Sequence, residues 1–143
     1  MTEKKYDHET DAEVPEGTDI VVTSMPHDRF YEETKKSLRR AVEGDEPQDH
    51  YQNFEDPKKI QKLLSPTRLE LLVTLLEDEF ESISALARSV DRDYKDVYED
   101  VETLAEYGIV RFDKDTEGRG KKPYVPYENV RVEVEVGKAT ADH

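Results

Sequence analysis

Three short helical patterns followed by a strand-turn-strand pattern occupy residues 65–136, and this order limits the possible folds more than any other feature. Ser65 and the proline after it predict the start of the first helix, because serine can accept from an orphan backbone N–H and proline lacks the donor that would go unused. Ser82 and Asp93 are the predicted caps of the second and third helices. Gly108 is the predicted end of the third helix, because glycine suits the left-handed backbone conformation in which helices commonly end.

Apolar residues recur at helical spacing in each of the three segments, so each helix is expected to bury one face. The expected inward residues are Leu69, Leu72, Val73 and Leu76, with Leu71 and Leu75 widening the stripe, in the first helix, Ile83, Leu86, Ala87 and Val90 in the second, and Val97, Val101 and Leu104 in the third. Tyr94, Lys95 and Tyr98 then face outward.

Two strand-like runs, at residues 109–112 and 124–126, flank a polar turn that contains Gly-Arg-Gly-Lys-Lys. The glycines let the turn bend close to another surface, and its cations, Arg119, Lys121 and Lys122, suit a phosphate backbone or a narrow minor groove. Three helices and a hairpin in this order predict a winged helix-turn-helix.

Alternating valines at positions 130, 132, 134 and 136 predict one more strand, half-buried. Two roles stay open for this strand: it caps the hairpin, or it pairs across a dimer.

The N-terminal half carries weaker patterns. A β-branched run at 19–23 predicts a strand, and residues 28–42 predict an amphipathic helix through Phe30, Tyr31, Leu38 and Val42. A polar connector is expected at 43–55, and then a short helix at 57–64 with Ile60, Leu63 and Leu64 inward. The predicted fold class is therefore α+β, a winged helix-turn-helix with an N-terminal strand-helix extension.

Composition divides the chain into four expected parts. They are a disordered acidic tail at 1–18, the extension at 19–64 with a possible role in dimerisation, the DNA-binding domain at 65–137, and a tail at 138–143. No run approaches the length of a membrane span, and the acidic start is unlike a secretory signal, so a soluble cytoplasmic protein with no membrane partner is expected.

The formal net charge of −14 opposes DNA binding, because affinity for a duplex comes largely from Lys and Arg at the phosphates. Even residues 65–137 hold ten Lys or Arg against eighteen Asp or Glu. Two interpretations remain. The acidic surface is an adaptation to a salt-rich cytoplasm with the basic residues gathered on one face, or the scaffold binds a protein.

Three segments carry a resemblance to a known group of proteins: Ser-Ile-Ser-Ala-Leu-Ala-Arg at 82–88, Asp-Arg-Asp-Tyr-Lys-Asp-Val at 91–97, and Leu-Ala-Glu-Tyr-Gly-Ile-Val at 104–110. They resemble the winged helix-turn-helix transcriptional regulators of archaea, close to the MarR- and ArsR-like group. Together with Pro-Tyr-Val-Pro-Tyr at 123–127, they are most similar to a family of small DNA-binding proteins of salt-loving archaea. The resemblance covers the second half of the chain.

This resemblance implies that residues 93–107 form the recognition helix, with Tyr94, Lys95 and Tyr98 at positions used against DNA. The sequence departs from it at Glu99, Asp100 and Glu102, where a DNA-reading helix is more often basic or neutral. The full set of expected DNA-contact residues is Arg88, Arg92, Tyr94, Lys95, Tyr98, Arg119, Lys121 and Lys122.

Nothing in the sequence indicates an enzyme or a cofactor. The chain has no cysteine, and its four histidines are scattered away from metal-ligand spacing, so neither a catalytic nor a metal site is expected. The expected function is a homodimeric, duplex-DNA-binding transcriptional regulator that acts as a repressor. The alternative is a protein-interaction module, antitoxin-like or an adaptor of the transcription machinery, that does not itself read DNA. The sequence leaves any small-molecule effector open.

Overall fold

The computed structural model describes residues 14–44, 49–113 and 122–136. The fold is α+β. In chain order its elements are β1 (Ile20–Ser24), α1 (His27–Gly44), β2 (His50–Asn53), α2 (Pro57–Leu63), α3 (Pro66–Glu77), α4 (Ile83–Ser89), α5 (Tyr94–Glu106), β3 (Arg111–Asp113), β4 (Lys122–Tyr124) and β5 (Val130–Val134).

A three-stranded parallel sheet in the order β2-β1-β5 joins the two halves of the chain. The central strand β1 is buried along its whole length, as expected for a continuous β-branched run in a parallel sheet. β2 lies within the segment predicted to be a polar connector, so that prediction was wrong. The extension is strand-helix-strand, and its two strands pair in register from Ile20 with His50 to Thr23 with Asn53.

β5 confirms the strand predicted from the alternating valines, but it does not cap the hairpin. Its other predicted role, pairing across a dimer, stays a prediction. β5 pairs in parallel with β1, from Ile20 opposite Val130 to Ser24 opposite Val134. The boundary drawn between 19–64 and 65–137 therefore cuts through one sheet.

The two faces of this sheet have different neighbours, because side chains alternate along a strand. Ile20 and Val22 belong to the same hydrophobic core as the buried residues of α2 to α5. The opposite face carries α1, whose Phe30 ring lies 5.9 Å from that of Tyr51 on β2. The sheet thus separates α1 from the other four helices.

α1 confirms the predicted helix, but apart from Phe30, which packs on Tyr51, its apolar stripe does not face the protein. Tyr31, Leu38 and Val42 are 62%, 48% and 74% exposed. Ser37 is the residue that the helix buries. A small side chain there lets the helix approach the sheet, which places the larger apolar residues to one side.

The caps of the central helices confirm the sequence predictions. Ser65 Oγ accepts from the N–H of Arg68 at 3.4 Å, and Ser82 Oγ accepts from that of Ala85 at 3.1 Å. Gly108 follows α5 with a φ of 78°. Asp93 occupies the cap position of α5, but its side chain makes no capping hydrogen bond.

The predicted inward residues of α4 and α5 are confirmed, apart from the partly exposed Val90, whereas the stripe of α3 is rotated from its expected position. α3 buries Leu71, Leu72 and Leu75, whereas Leu69, Val73 and Leu76 are 42%, 54% and 43% exposed. Six apolar residues in eight positions leave more than one possible inward face for this helix. Packing against α5 selects the face with Leu71 and Leu75, which the sequence pattern placed at the edge of the stripe.

The short helix α2 is confirmed with Ile60, Leu63 and Leu64 buried. β3 and β4 form the expected antiparallel hairpin, in register from Arg111 with Tyr124 to Asp113 with Lys122. Its tip, with Arg119 and Lys121, lies outside the described residues.

Of the predicted acidic tail, residues 1–13 also lie outside the description, as does the 138–143 tail. Residues 14–18 correct the prediction of disorder, because Thr18 is buried and donates its N–H to the carbonyl of Pro15 at 3.1 Å. In the described part of the chain, no helix combines the length and the apolar character needed to cross a membrane.

Candidate functional site

The side of α5 turned away from the core carries the residues expected to contact DNA. Tyr94 and Tyr98 are 51% and 41% exposed, and their rings stack with centroids 5.9 Å apart and planes at 25°. This spacing of four residues places both rings on one helix face. Lys95 lies beside them, exposed, with its Nζ 3.9 Å from a carboxylate oxygen of Glu99.

Carboxylates dominate the rest of this exposed side. Asp96, Glu99, Glu102 and Glu106 are all exposed, against the single cation of Lys95. One of these carboxylates acts on Tyr98: the negative charge of Glu102 is the largest cause that raises the pKa of Tyr98 above its usual value, and a hydrogen bond to the same carboxylate adds to it. A phosphate brought to this surface would meet the same repulsion, whereas a cation would be attracted.

One acidic residue of α5 points inward and holds two arginines. Asp100 is 9% exposed; its Oδ1 accepts from Arg68 Nε at 3.0 Å, and its Oδ2 accepts from Arg92 Nη2 at 2.8 Å. Arg68 lies on α3, and Arg92 lies in the turn between α4 and α5. The ion triad therefore ties the three helices together.

This triad includes Arg92, one of the residues expected to contact DNA. Its side chain is only 21% exposed, and its guanidinium is held by Asp100. Withdrawing it would leave a largely buried carboxylate with fewer partners, which carries a large penalty. The contact with Asp100 therefore favours a structural role for Arg92 over a contact to DNA.

Of the remaining expected contact residues, Arg88 and Lys122 lie on two other elements, whereas Arg119 and Lys121 lie outside the described residues. Arg88 is exposed in the last turn of α4 and makes no ion pair with any residue in the described ranges. Lys122, at the start of β4, places its Nζ 3.4 Å from a carboxylate oxygen of Glu79. That carboxylate is 86% exposed, so solvent weakens the pair and the lysine stays available.

A second basic surface was missed by the sequence predictions. Lys35, Lys36, Arg39 and Arg40 lie on the exposed side of α1, where Lys35 Nζ is 5.1 Å from the centre of the Tyr31 ring and Lys36 Nζ is 3.8 Å from Glu33. Four cations within six residues stand out in so acidic a chain and could have been noticed from sequence. α1 and α5 lie on opposite sides of the sheet, so these cations do not belong to the α5 surface.

Among the residues that the structure describes, no group of three or more His, Cys, Asp or Glu side chains could hold a metal ion. The exposed side of α5 can offer hydrogen bonds, ring faces and charge.

Comparison with known proteins adds one finding. Residues 63–132 match the family model described as HVO_A0114. No curated protein matches the sequence. The matched region begins at the end of α2 and runs into β5, and it includes all of α3, α4, α5 and the hairpin. Its description names no activity or partner, so the likeness to MarR- and ArsR-like regulators stays a prediction.

Proposed function

We propose that the helices α3 to α5 and the β3-β4 hairpin form a winged helix-turn-helix, and that the protein binds duplex DNA as a homodimer and represses transcription. One observation carries the proposal. α5 buries Val97, Val101 and Leu104 completely and presents Tyr94, Lys95 and Tyr98 on its other side, between a preceding short helix and a following hairpin. This is the arrangement in which a helix can enter a groove.

In the proposed complex, α5 enters the major groove, which is wide enough for an α-helix. Tyr94 and Lys95 reach base edges or phosphates, and Arg88 contacts the backbone from the end of α4. The hairpin cations Arg119, Lys121 and Lys122 neutralise flanking phosphates and set the orientation of the protein. A promoter covered in this way is closed to the transcription machinery.

The acidic side of α5 gives this binding an unusual salt dependence. Each phosphate contact normally contributes about 0.9 to the slope of log affinity against log salt, through released counterions. Glu99 and Glu102 near phosphates take up cations on binding, which offsets part of that release. The affinity for DNA is therefore expected to fall with rising KCl concentration much less steeply than three or more phosphate contacts would normally imply.

The proposal is tested by selection from a random duplex library at high KCl, followed by fluorescence anisotropy with the enriched duplex over a KCl series. The double variant Arg119→Glu/Lys121→Glu should weaken binding roughly tenfold or more for all sequences alike, because phosphates are then repelled. The matched control is Arg39→Glu/Arg40→Glu on α1, which changes the net charge equally on the other side of the sheet. Enrichment of no duplex, or equal weakening by both variants, would contradict the proposal.

The carboxylates of α5 favour a second candidate, an interaction module for a basic protein. Lys95 is the one cation on that side and is already close to Glu99, so a lysine-rich surface would be attracted to Asp96, Glu99 and Glu102. NMR titration separates the candidates. A lysine-rich peptide that shifts the α5 amide resonances, with no shift from the duplex, favours the protein partner.

A further inference from the structure

We propose that two copies of the protein join along β5, by antiparallel pairing of the free edges of their three-stranded sheets. β5 is an outer strand, bonded to β1 on one side and to no other described strand on the other. The inference rests on the homodimer of the proposed function and specifies its surface and register. The occupant of this edge is a second copy of the same strand.

The direction of the backbone hydrogen bonds shows which groups of β5 are free. The carbonyl of Asn129 accepts from the N–H of Ile20 at 3.0 Å, and the N–H of Glu135 donates to the carbonyl of Ser24 at 3.2 Å. In a ladder, the groups that face one neighbour belong to alternate residues. The backbone N–H and C=O groups of the odd-numbered residues of β5 therefore point toward β1. The N–H and C=O groups of the valines at 130, 132 and 134 point to the outer edge.

The side chains of β5 are complementary to a reversed copy of themselves. The strand reads Val-Arg-Val-Glu-Val. When Val132 lies opposite Val132 of the second copy, Arg131 lies opposite Glu133 on both sides of the two-fold axis. The outward backbone groups of Val132 then exchange two hydrogen bonds with their counterparts, as a hydrogen-bonded antiparallel pair requires. Arg131 and Glu133 fall at non-hydrogen-bonded positions, where opposite side chains come closest.

The charges select this register over its neighbours. Centring the two-fold axis on Glu133 would set two glutamates opposite each other, and centring it on Arg131 would set two arginines opposite each other. Like charges in directly opposite positions are destabilising. Arg131 already bonds Asp19 and Asp49, yet its side chain is 42% exposed and can also face a glutamate.

Exposure of the same strand supports an interface. Val132 and Val134 are 43% and 44% exposed, although the sheet buries β1 completely. An uncovered edge with β-branched side chains is prone to unspecific pairing. Pairing with a second copy satisfies the edge and brings the valines of both strands into cross-strand contact.

The symmetry of this dimer matches that of a two-fold DNA site. Its axis runs perpendicular to the joined six-stranded sheet, so helices α2 to α5 of both copies lie on the same face. Two α5 helices on one face are what two symmetric half-sites require.

Single cysteine variants test the register, because the chain has no cysteine of its own. In the proposed register, Cα atoms at position 132 of the two copies lie about 5.5 Å apart, within the range of a disulfide. Val132→Cys should therefore form a disulfide-linked dimer under mild oxidation. The matched control is Val134→Cys, whose two Cα atoms would be separated by four residues along the strands, about 13 Å. Equal cross-linking of both variants overturns the proposed register.

A charge variant tests the interface without a cross-link. Glu133→Arg places two arginines opposite each other and should raise the dimer dissociation constant roughly tenfold or more in sedimentation experiments. Glu128→Arg, an equal charge change just outside the strand, is the control. Thermal unfolding of both variants checks that the fold is kept. A wild-type monomer at every concentration up to the highest reached, or an equal effect of both substitutions, overturns the proposal.

These measurements contain no DNA, so they separate this inference from the proposed function. A β5-linked dimer that enriches no duplex keeps the interface and contradicts DNA binding. A monomer that binds a duplex contradicts the β5 interface and supports DNA binding.

Discussion

Glu99 and Asp100 are neighbours on α5, yet they belong to two different regions of the molecule. Asp100 is 9% exposed and accepts from Arg68 and Arg92. Glu99 lies in solvent with only a 3.9 Å approach from Lys95. One position along the helix thus changes a carboxylate from a part of the core to a part of the surface. The difference teaches that a count of acidic residues on a helix does not describe the face that a partner meets.

Removing the inward carboxylate is expected to have the largest effect. Asp100→Ala leaves two partly buried guanidinium groups without their shared acceptor, and it should lower the free energy of unfolding by about 3 kcal/mol. Chemical denaturation at constant KCl measures this loss. Glu99→Ala is the matched control and should change the free energy of unfolding by less than about 0.5 kcal/mol, since it removes only an exposed pair. Similar losses of unfolding free energy in both variants would contradict the distinction between the inward and the outward side of α5.

Substitutions on the outward side should act on binding and leave the fold unchanged. Lys95→Glu is expected to weaken binding to the selected duplex by about tenfold, equivalent to roughly 1.4 kcal/mol, because it removes the one cation on the exposed side of α5. Lys58→Glu on α2, also exposed, is the control for the change in net charge. Anisotropy measures the affinity, and thermal unfolding checks stability.

Tyr94→Ala is expected to change which sequences are bound more than how tightly DNA is bound. A side chain that reaches base edges carries sequence preference, whereas a phosphate contact does not. Repeating the selection with the variant measures the preference. An unchanged consensus sequence would place Tyr94 outside the interface.

The smallest expected effect is on the titration of Tyr98. Its pKa is raised mainly by the charge of Glu102, so Glu102→Gln should lower it toward 10.0. The folded protein therefore holds this proton more tightly than the unfolded chain. The stability that this raised pKa contributes is fully present below the pKa of Tyr98 in the unfolded chain. It is lost as the pH rises through the pKa of Tyr98 in the folded protein. NMR of ring-labelled tyrosine follows the titration, and Glu106→Gln, which removes an equal charge from the same helix, is the control.

Local signals predicted most of the helical region. Ser65, Ser82 and Gly108 act within a few residues of their own positions, and the structure confirms all three. Strands with a regular pattern, such as β5, could likewise be predicted. The exposed tyrosines of α5 followed from the same periodicity that placed Val97 and Val101 inside.

What could not be predicted depends on partners distant in the sequence. Nothing near Asp100 indicates that it will meet Arg68, 32 residues away, and without that contact Arg92 looked like any surface cation. β5 has an unmistakable pattern, but the pattern does not name β1 as its neighbour. β2 is short and polar, and it forms because β1 offers it an edge.

The pairing of β1 with β5 has a consequence for synthesis of the protein. Asp19 and Arg131 are bonded across 112 residues of chain, so on the ribosome the hydrophobic β1 emerges long before its neighbour. Until β5 is released, one side of β1 has unsatisfied backbone groups and can pair with other nascent chains. Completion of the sheet is therefore a late step of folding, and this interval is when the growing polypeptide most needs a chaperone or the mutual repulsion of its many carboxylates.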